Sequence, residues 1–133
     1  MKILLDTHFL LWALQDSDAL SGQARFLIEE PDNEIYYSIV SLWEIQIKHR
    51  SHPKEMTLTS KMLEKYCKEA GFHMMPIKSE HIHYLSDLKI PTNTNHKDPF
   101  DRMMVCQAAV DGLFFLTRDT RVAQYEEPCI YQI

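Results

Sequence analysis

Five acidic residues stand in four separate segments of the sequence where their carboxylates can meet: Asp6, Glu44, Asp98, Asp101 and Asp119. Hard oxygen ligands, without Cys or His at metal-binding spacing, favour Mg²⁺ or Mn²⁺ over zinc. A divalent ion held by carboxylates lowers the pKa of a bound water and polarises a phosphoryl oxygen. These residue types therefore predict a magnesium or manganese site suited to phosphodiester chemistry.

Bringing several acids together has an electrostatic cost. At a separation of about 4–5 Å and an effective dielectric constant near 20, each pair of carboxylates repels by roughly 3–4 kcal/mol before screening. Either some of the carboxyls are protonated or a cation neutralises them. The same cation would let an anionic backbone approach an acidic pocket.

The elements that must position these acids alternate between strands and helices. Strands are predicted over 2–5, 34–37, 72–77 and 113–117, with an edge strand at 129–131. Helices are predicted over 7–14, 21–30, 39–49, 59–70, 79–88, 99–110 and 120–125. This alternation indicates an α/β fold of three layers, α/β/α, with a central, mostly parallel sheet of four to five strands. At 133 residues, we expect a single domain, 1–133.

The acids fall where such a fold forms its sites, beyond the carboxyl ends of the strands. Asp6 follows the first strand and Asp119 follows the fourth. Asp98 and Asp101, spaced i and i+3, share one face of the helix before that strand. Glu44 follows the second strand, and its side chain should lean back towards the helix N-terminus.

Each acid also fits a purely structural role. Asp6, Asp98 and Asp119 are all placed to cap a helix, and Pro99 at the first helical position strengthens that interpretation for Asp98. Asp101 can answer the helix dipole. Glu44 can form an i,i+4 pair on a solvated face, although its mostly apolar neighbours make a buried, unpartnered Glu costly.

Three neighbours of the acids are predicted to support the site. The hydroxyls of Thr7 and Thr117 can donate to ligating carboxylates, although capping is the alternative. Arg102 can hold a phosphate in bidentate fashion, or it can pair with Asp98 or Asp101.

The composition narrows the class of protein. The chain is 45% hydrophobic and 25% charged, which is typical of a soluble globular protein, and no apolar run reaches the ~20 residues that span a bilayer. We expect a cytoplasmic protein with three free thiols, since its odd set of cysteines has no metal or redox spacing. The net charge of −5 lacks the basic surplus of most nucleic-acid binders. A metal site that holds the clustered acids would account for the missing basic surplus.

Four segments resemble the motifs of the PIN-domain family, particularly the VapC-type toxins of bacterial toxin–antitoxin pairs. They are Leu4–Trp12, Ser38–Ile45, His96–Arg102 followed by Gln107 and Ala108, and Leu116–Asp119. Their order and spacing agree over essentially the whole chain.

The resemblance implies metal-binding carboxylates at Asp6, Glu44, Asp101 and Asp119. Asp98 ranks below Asp101, because it belongs to the narrower Asp-Pro-Phe-Asp-Arg version of the motif. The resemblance further implies a Mg²⁺- or Mn²⁺-dependent ribonuclease that hydrolyses RNA phosphodiester bonds, forms a homodimer and is inhibited by an antitoxin protein.

Two other functions compete with this one. The first is a PIN-like RNA- or protein-binding regulatory module with little or no nuclease activity. The second is a receiver-like α/β domain with a phospho-accepting aspartate, which is disfavoured because no Asp-x-Asp follows the first strand and no obvious Lys lies near a late strand.

Overall fold

The computed structural model describes residues 1–133, which are built around one five-stranded sheet. The strands are β1 (Lys2–Leu5), β2 (Glu34–Ser38), β3 (His73–Met75), β4 (Phe114–Thr117) and β5 (Ile130–Gln132). Their order is β3-β2-β1-β4-β5, and every neighbouring pair is parallel. The predicted α/β class is confirmed, with all five strands parallel.

Seven helices cover the two faces of the sheet. They are α1 (Thr7–Leu14), α2 (Gly22–Glu29), α3 (Ile39–Ser51), α4 (Ser60–Glu69), α5 (Ser79–His83), α6 (Pro99–Asp111) and α7 (Thr120–Ala123). Two predicted elements are shorter than expected. The helix predicted over 79–88 gives way to a 3-10 turn at Tyr84–Ser86, and β3 stops before Pro76, which has no N–H to donate to a strand ladder.

Alternate side chains of the central strands enter two separate cores, which produces the three layers. Ile3 and Leu5 pack with Phe9 of α1 and the helices on one face. Leu4 points the other way and packs with Met104 of α6. The period of two along β1 is that of a strand buried on both faces.

The chain reverses direction across the sheet at β1, because β2 lies on one side of it and β4 on the other. Asp6, at the end of β1, donates its N–H to the carbonyl of Leu116 in β4 at 3.1 Å. This switch point at the carboxyl ends of the strands is where open α/β sheets form crevices.

A buried glutamine fixes α6 across the ends of the neighbouring strands. Gln107 accepts a hydrogen bond from the Ser38 hydroxyl at 2.6 Å, and its amide donates to the carbonyls of Met75, the last residue of β3, at 3.3 Å and of Pro76 at 3.1 Å. Gly112 then ends α6 in the left-handed region, with φ of 73°, a conformation that glycine adopts without steric cost.

Two further features bear on the predicted class of protein. None of the helices combines the length and apolar character that crossing a bilayer requires. All three cysteines are free, and Cys67 and Cys106 are buried.

Candidate metal centre

Asp6 caps a helix and at the same time lies at the switch point. Its Oδ1 accepts from the N–H of Phe9 at 2.7 Å, and its Oδ2 accepts from the hydroxyl of Thr117 at 2.8 Å. The residue is only 5% exposed. Burial raises the pKa of Asp6 although these hydrogen bonds oppose it. The Thr117 hydroxyl thus donates to the Asp6 carboxylate, which is the contact that its expected role requires.

Glu44 is buried in α3 and lies beside Thr7, the residue that follows Asp6. Its Oε1 accepts from the hydroxyl of Thr7 at 2.8 Å, and its Oε2 lies 3.2 Å from Lys48 Nζ. The Thr7 hydroxyl also lies 2.8 Å from that of Ser41. The i,i+4 pair with Lys48 therefore forms, but the carboxylate is 7% exposed rather than on a solvated face.

Asp98 caps α6, as one of its two interpretations predicted. Its Oδ1 accepts from the N–H groups of Phe100 at 2.8 Å and Asp101 at 3.3 Å, and Pro99 occupies the first turn. One oxygen of this carboxylate is thus committed to the helix N-terminus, while its charge still acts on Asp101.

Asp101 is the residue on which the other acids converge. Burial is the largest cause that raises its pKa to about 7, followed by the charges of Asp98, Asp6, Glu44 and Asp119. Four carboxylates, three of them from other segments and one from the start of the same helix, therefore lie close enough to disfavour the ionised form of a fifth. A strongly shifted carboxyl in such a cluster is typical of functional sites.

Asp119 completes the cluster from the other side. It caps α7 by accepting from the N–H of Arg121 at 2.9 Å, and its two oxygens accept from the Arg121 guanidinium at 3.2 and 3.0 Å. The side-chain hydrogen bonds from Arg121 lower the pKa of Asp119. This carboxylate is held in its charged form.

Sequence analysis named His96 only as the start of a motif and gave it no role. The ring is 1% exposed, and its Nε2 lies 3.1 Å from Asp101 Oδ2. His96, Asp101 and Asp119 each offer one potential ligand atom, and these three atoms lie within 4.8 Å of one another. Asp6 and Glu44 are outside that group. The available signal was its position at the start of the third motif, five residues before Asp101.

Arg102 does not pair with Asp98 or Asp101, as one prediction had it. Its Nε donates to the hydroxyl of Tyr125 at 3.0 Å, and its Nη2 donates to the carbonyl of His96 at 2.9 Å. Its guanidinium thus ties the loop before α6 to Tyr125, through a backbone carbonyl on one side and a phenol oxygen on the other.

The residues present fit a hard divalent cation. Glu44 and Asp119 have basic partners in Lys48 and Arg121, but Asp6 and Asp101 are met only by hydroxyl, backbone or imidazole groups. These two are also the acids whose pKa is raised. A carboxylate-rich donor set with uncompensated buried charge suits Mg²⁺ or Mn²⁺.

Comparison with known proteins agrees with this architecture. The sequence profile of the family described as "PIN domain" matches residues 3–128. Comparison with curated proteins finds no match.

Several solved structures share the fold. A chain of VapBC2 from Rickettsia felis, bound to a DNA fragment from its promoter, aligns with a TM-score of 0.71 and 13% identity over 99% of this chain and 98% of that one. DNA-bound VapBC from Salmonella typhimurium gives 0.67 and 15% over 100% and 97%. A toxin–antitoxin complex from Klebsiella pneumoniae gives 0.62 and 19% over 98% and 99%. At these identities the likeness establishes the fold.

Proposed function

This chain belongs to the PIN-domain family, and from that premise we propose that it is a Mg²⁺- or Mn²⁺-dependent endoribonuclease, the VapC-type toxin of a toxin–antitoxin pair. The observation that carries the proposal is the convergence on Asp101, whose pKa is raised to about 7 by burial and by four other carboxylates. A cluster of that kind needs a cation to be fully ionised at neutral pH.

In this proposal Asp6, Glu44, Asp101 and Asp119 hold the metal. When bound, the ion lowers the pKa of water and offsets negative charge on the scissile phosphate. The hydroxyls of Thr7 and Thr117 hold the Glu44 and Asp6 carboxylates in fixed orientations. Since ligands must be deprotonated, metal binding should release the proton that Asp101 carries near neutral pH.

Asp98 supports the site without being a ligand in this proposal. Its Oδ1 holds the first turn of α6, and this fixes the backbone from which Asp101 projects. Arg102 likewise acts on the neighbouring loop through Tyr125 and the His96 carbonyl.

The proposed partners are an RNA substrate, a cognate antitoxin protein and a second copy of the chain, with all residues forming one PIN domain that works in the cytoplasm. Nearly the whole of this protein shares its fold with chains from solved toxin–antitoxin complexes. Ile39, Trp43 and Ile47 lie at i,i+4 spacing on one face of α3 and are all exposed, and a contiguous apolar stripe of this kind supports a protein partner.

The test is cleavage of single-stranded RNA by the purified protein with Mg²⁺, Mn²⁺ or excess chelator. We expect cleavage only with a metal ion and its loss in Asp6→Asn, while Asp18→Asn, which changes an exposed acid, retains it. Equal cleavage in chelator would sink the mechanism. Metal-dependent thermal stabilisation with no cleavage of any RNA would instead identify a PIN-like binding module.

A further inference from the structure

We infer that His96 is a positioning residue that holds the Asp101 carboxylate through its Nε2–H, and that it is not a ligand of the metal. The inference deepens the proposed function and rests on it for the role of Asp101. Metal ligation is the competing role, because one ring nitrogen of His96 lies within 4.8 Å of a carboxylate oxygen of Asp101 and one of Asp119.

The hydrogen-bond network decides which ring nitrogen carries the hydrogen. Arg102 Nε donates to the Tyr125 hydroxyl oxygen at 3.0 Å, so that the phenol's own hydrogen must find another acceptor. His96 Nδ1 lies in close contact with that hydroxyl, whereas the His96 carbonyl is 3.5 Å away. The hydroxyl therefore donates to Nδ1, and the neutral ring carries its hydrogen on Nε2.

With this tautomer, every donor in the hydrogen-bond series from Arg102 to Asp101 has an acceptor. Arg102 donates to Tyr125, Tyr125 donates to His96, and His96 Nε2 donates to Asp101 Oδ2 at 3.1 Å. A metal bound at Nε2 would require a lone pair there, and the ring hydrogen would then move to Nδ1. The Tyr125 hydroxyl would lose its nearest acceptor.

The ring is also fixed from its backbone. The His96 N–H donates to the Thr94 hydroxyl at 3.0 Å, and the His96 carbonyl accepts from Arg102 Nη2 at 2.9 Å. Tyr125 is fully buried and packs edge-on against the ring, with centroids 5.3 Å apart. Because Arg102 directly follows Asp101, the loop and the first turn of α6 are locked to each other.

A donor in this place serves the metal site in two ways. It fixes the rotamer of a carboxylate that its neighbours repel, and it leaves the other oxygen of Asp101 for the cation. It also stabilises the ionised form that a metal ligand must adopt. Outer partners that orient metal ligands are typically worth about 10–100-fold in metal affinity or activity.

The first experiment is ¹⁵N NMR of the histidine ring nitrogens in the whole protein, with chelator and then with Mg²⁺, using His96→Gln to assign the resonances. We expect a protonated Nε2 and an unprotonated Nδ1, both unchanged by Mg²⁺. An unprotonated Nε2, or an Nε2 resonance that shifts as expected for metal binding, would overturn the inference. This measurement does not depend on RNA cleavage. Wild-type protein that fails to cleave would overturn the proposed function separately.

The second experiment compares His96→Ala with His96→Gln, whose side-chain amide places an N–H near the position of Nε2. We expect the alanine variant to lose about 10–100-fold in kcat or Mn²⁺ affinity and the glutamine variant to recover part of it, with KM for RNA little changed. His83→Gln, at an exposed histidine, is the control. Equal losses in both His96 variants contradict positioning, and if His96→Ala does not fold, the NMR result on wild type decides.

Discussion

At each end of α6, an aspartate of the helix is bonded to a buried histidine from a neighbouring segment, but the surroundings of the two pairs differ. Near its N-terminus, buried His96 bonds through Nε2 to Asp101 at 3.1 Å, and at its C-terminus, buried His81 bonds through Nε2 to Asp111 at 2.8 Å. Each ring is held from its Nδ1, by the Tyr125 hydroxyl in one case and by the N–H of Lys78 at 2.9 Å in the other. As local bonding, the two pairs are equivalent.

Their neighbours differ. Asp101 is surrounded by four other carboxylates that help to raise its pKa to about 7. Asp111 belongs to no group of three potential metal ligands, since the only such group contains Asp101. A histidine–aspartate pair is therefore a structural tie by default, and it becomes part of a chemical site only where further acids from other segments arrive.

The largest expected difference between the two ends is in activity. Asp101→Asn keeps an acceptor for His96 but removes a carboxylate that we propose as a metal ligand. We expect it to lower the single-turnover rate of RNA cleavage by roughly a hundredfold or more, since metal catalysis supplies several kcal/mol. Asp111→Asn makes the same chemical change at the other end and should leave the rate unchanged. Similar losses in both variants would remove the distinction.

The second difference is in the pH dependence of stability without divalent ions. The folded-state pKa of Asp101 is about 7, against 3.8 for the unconstrained side chain, so that the folded state binds more protons between these values. The free energy of unfolding should therefore fall as pH rises from about 4 to 7, by up to about 4 kcal/mol.

Urea denaturation in chelator at several pH values measures this effect. Asp101→Asn should lose most of the dependence and become more stable than wild type above pH ~7, because it removes the ionisation that burial and repulsion oppose. Asp111→Asn should keep the wild-type slope. An Asp101→Asn variant with the wild-type slope would show that the acids do not crowd this residue.

The third difference concerns the structural tie itself. Asp111→Ala leaves Nε2 of fully buried His81 without its acceptor, which should cost about 1–3 kcal/mol in the free energy of unfolding. Asp111→Asn keeps an acceptor oxygen and should cost less. Denaturation curves with unchanged m-values would give both numbers, and an alanine variant as stable as wild type would show that the tie contributes nothing.

The site was predictable from sequence where it depended on local position. Asp6 and Asp119 follow strands, so that their placement came from strand recognition and the rule for parallel sheets. Asp98 followed by Pro99 is a local capping pattern, and the cap is there. Glu44 lies among apolar residues, which made a buried Glu costly without a partner, and the structure buries it with Thr7 and Lys48 as partners.

The part that was missed depends on contacts between residues distant in sequence. His96 lies in a loop without periodicity, and its role is set by Tyr125, 29 residues later. Arg102 had charged candidates nearby but donates to Tyr125 and a carbonyl. No spacing rule predicts such pairs. The end of β3 before Pro76 was predictable from sequence, because proline has no N–H to donate to a strand ladder.

The smallest expected effect concerns the ion pair between Arg121 and Asp119, one of the acids clustered at the N-terminal end of α6. The Arg121 side chain, which is half exposed, pairs with Asp119 and competes with a metal ion for that carboxylate. Arg121→Met should let the pKa of Asp119 rise, and it should strengthen Mn²⁺ binding by no more than about fivefold, because exposed ion pairs are worth about 0–1 kcal/mol. Calorimetric titration measures this, with Arg25→Met, which breaks a pair with Asp16, as the control. Weaker Mn²⁺ binding in Arg121→Met would mean that the guanidinium orients Asp119 for the metal instead of competing with it.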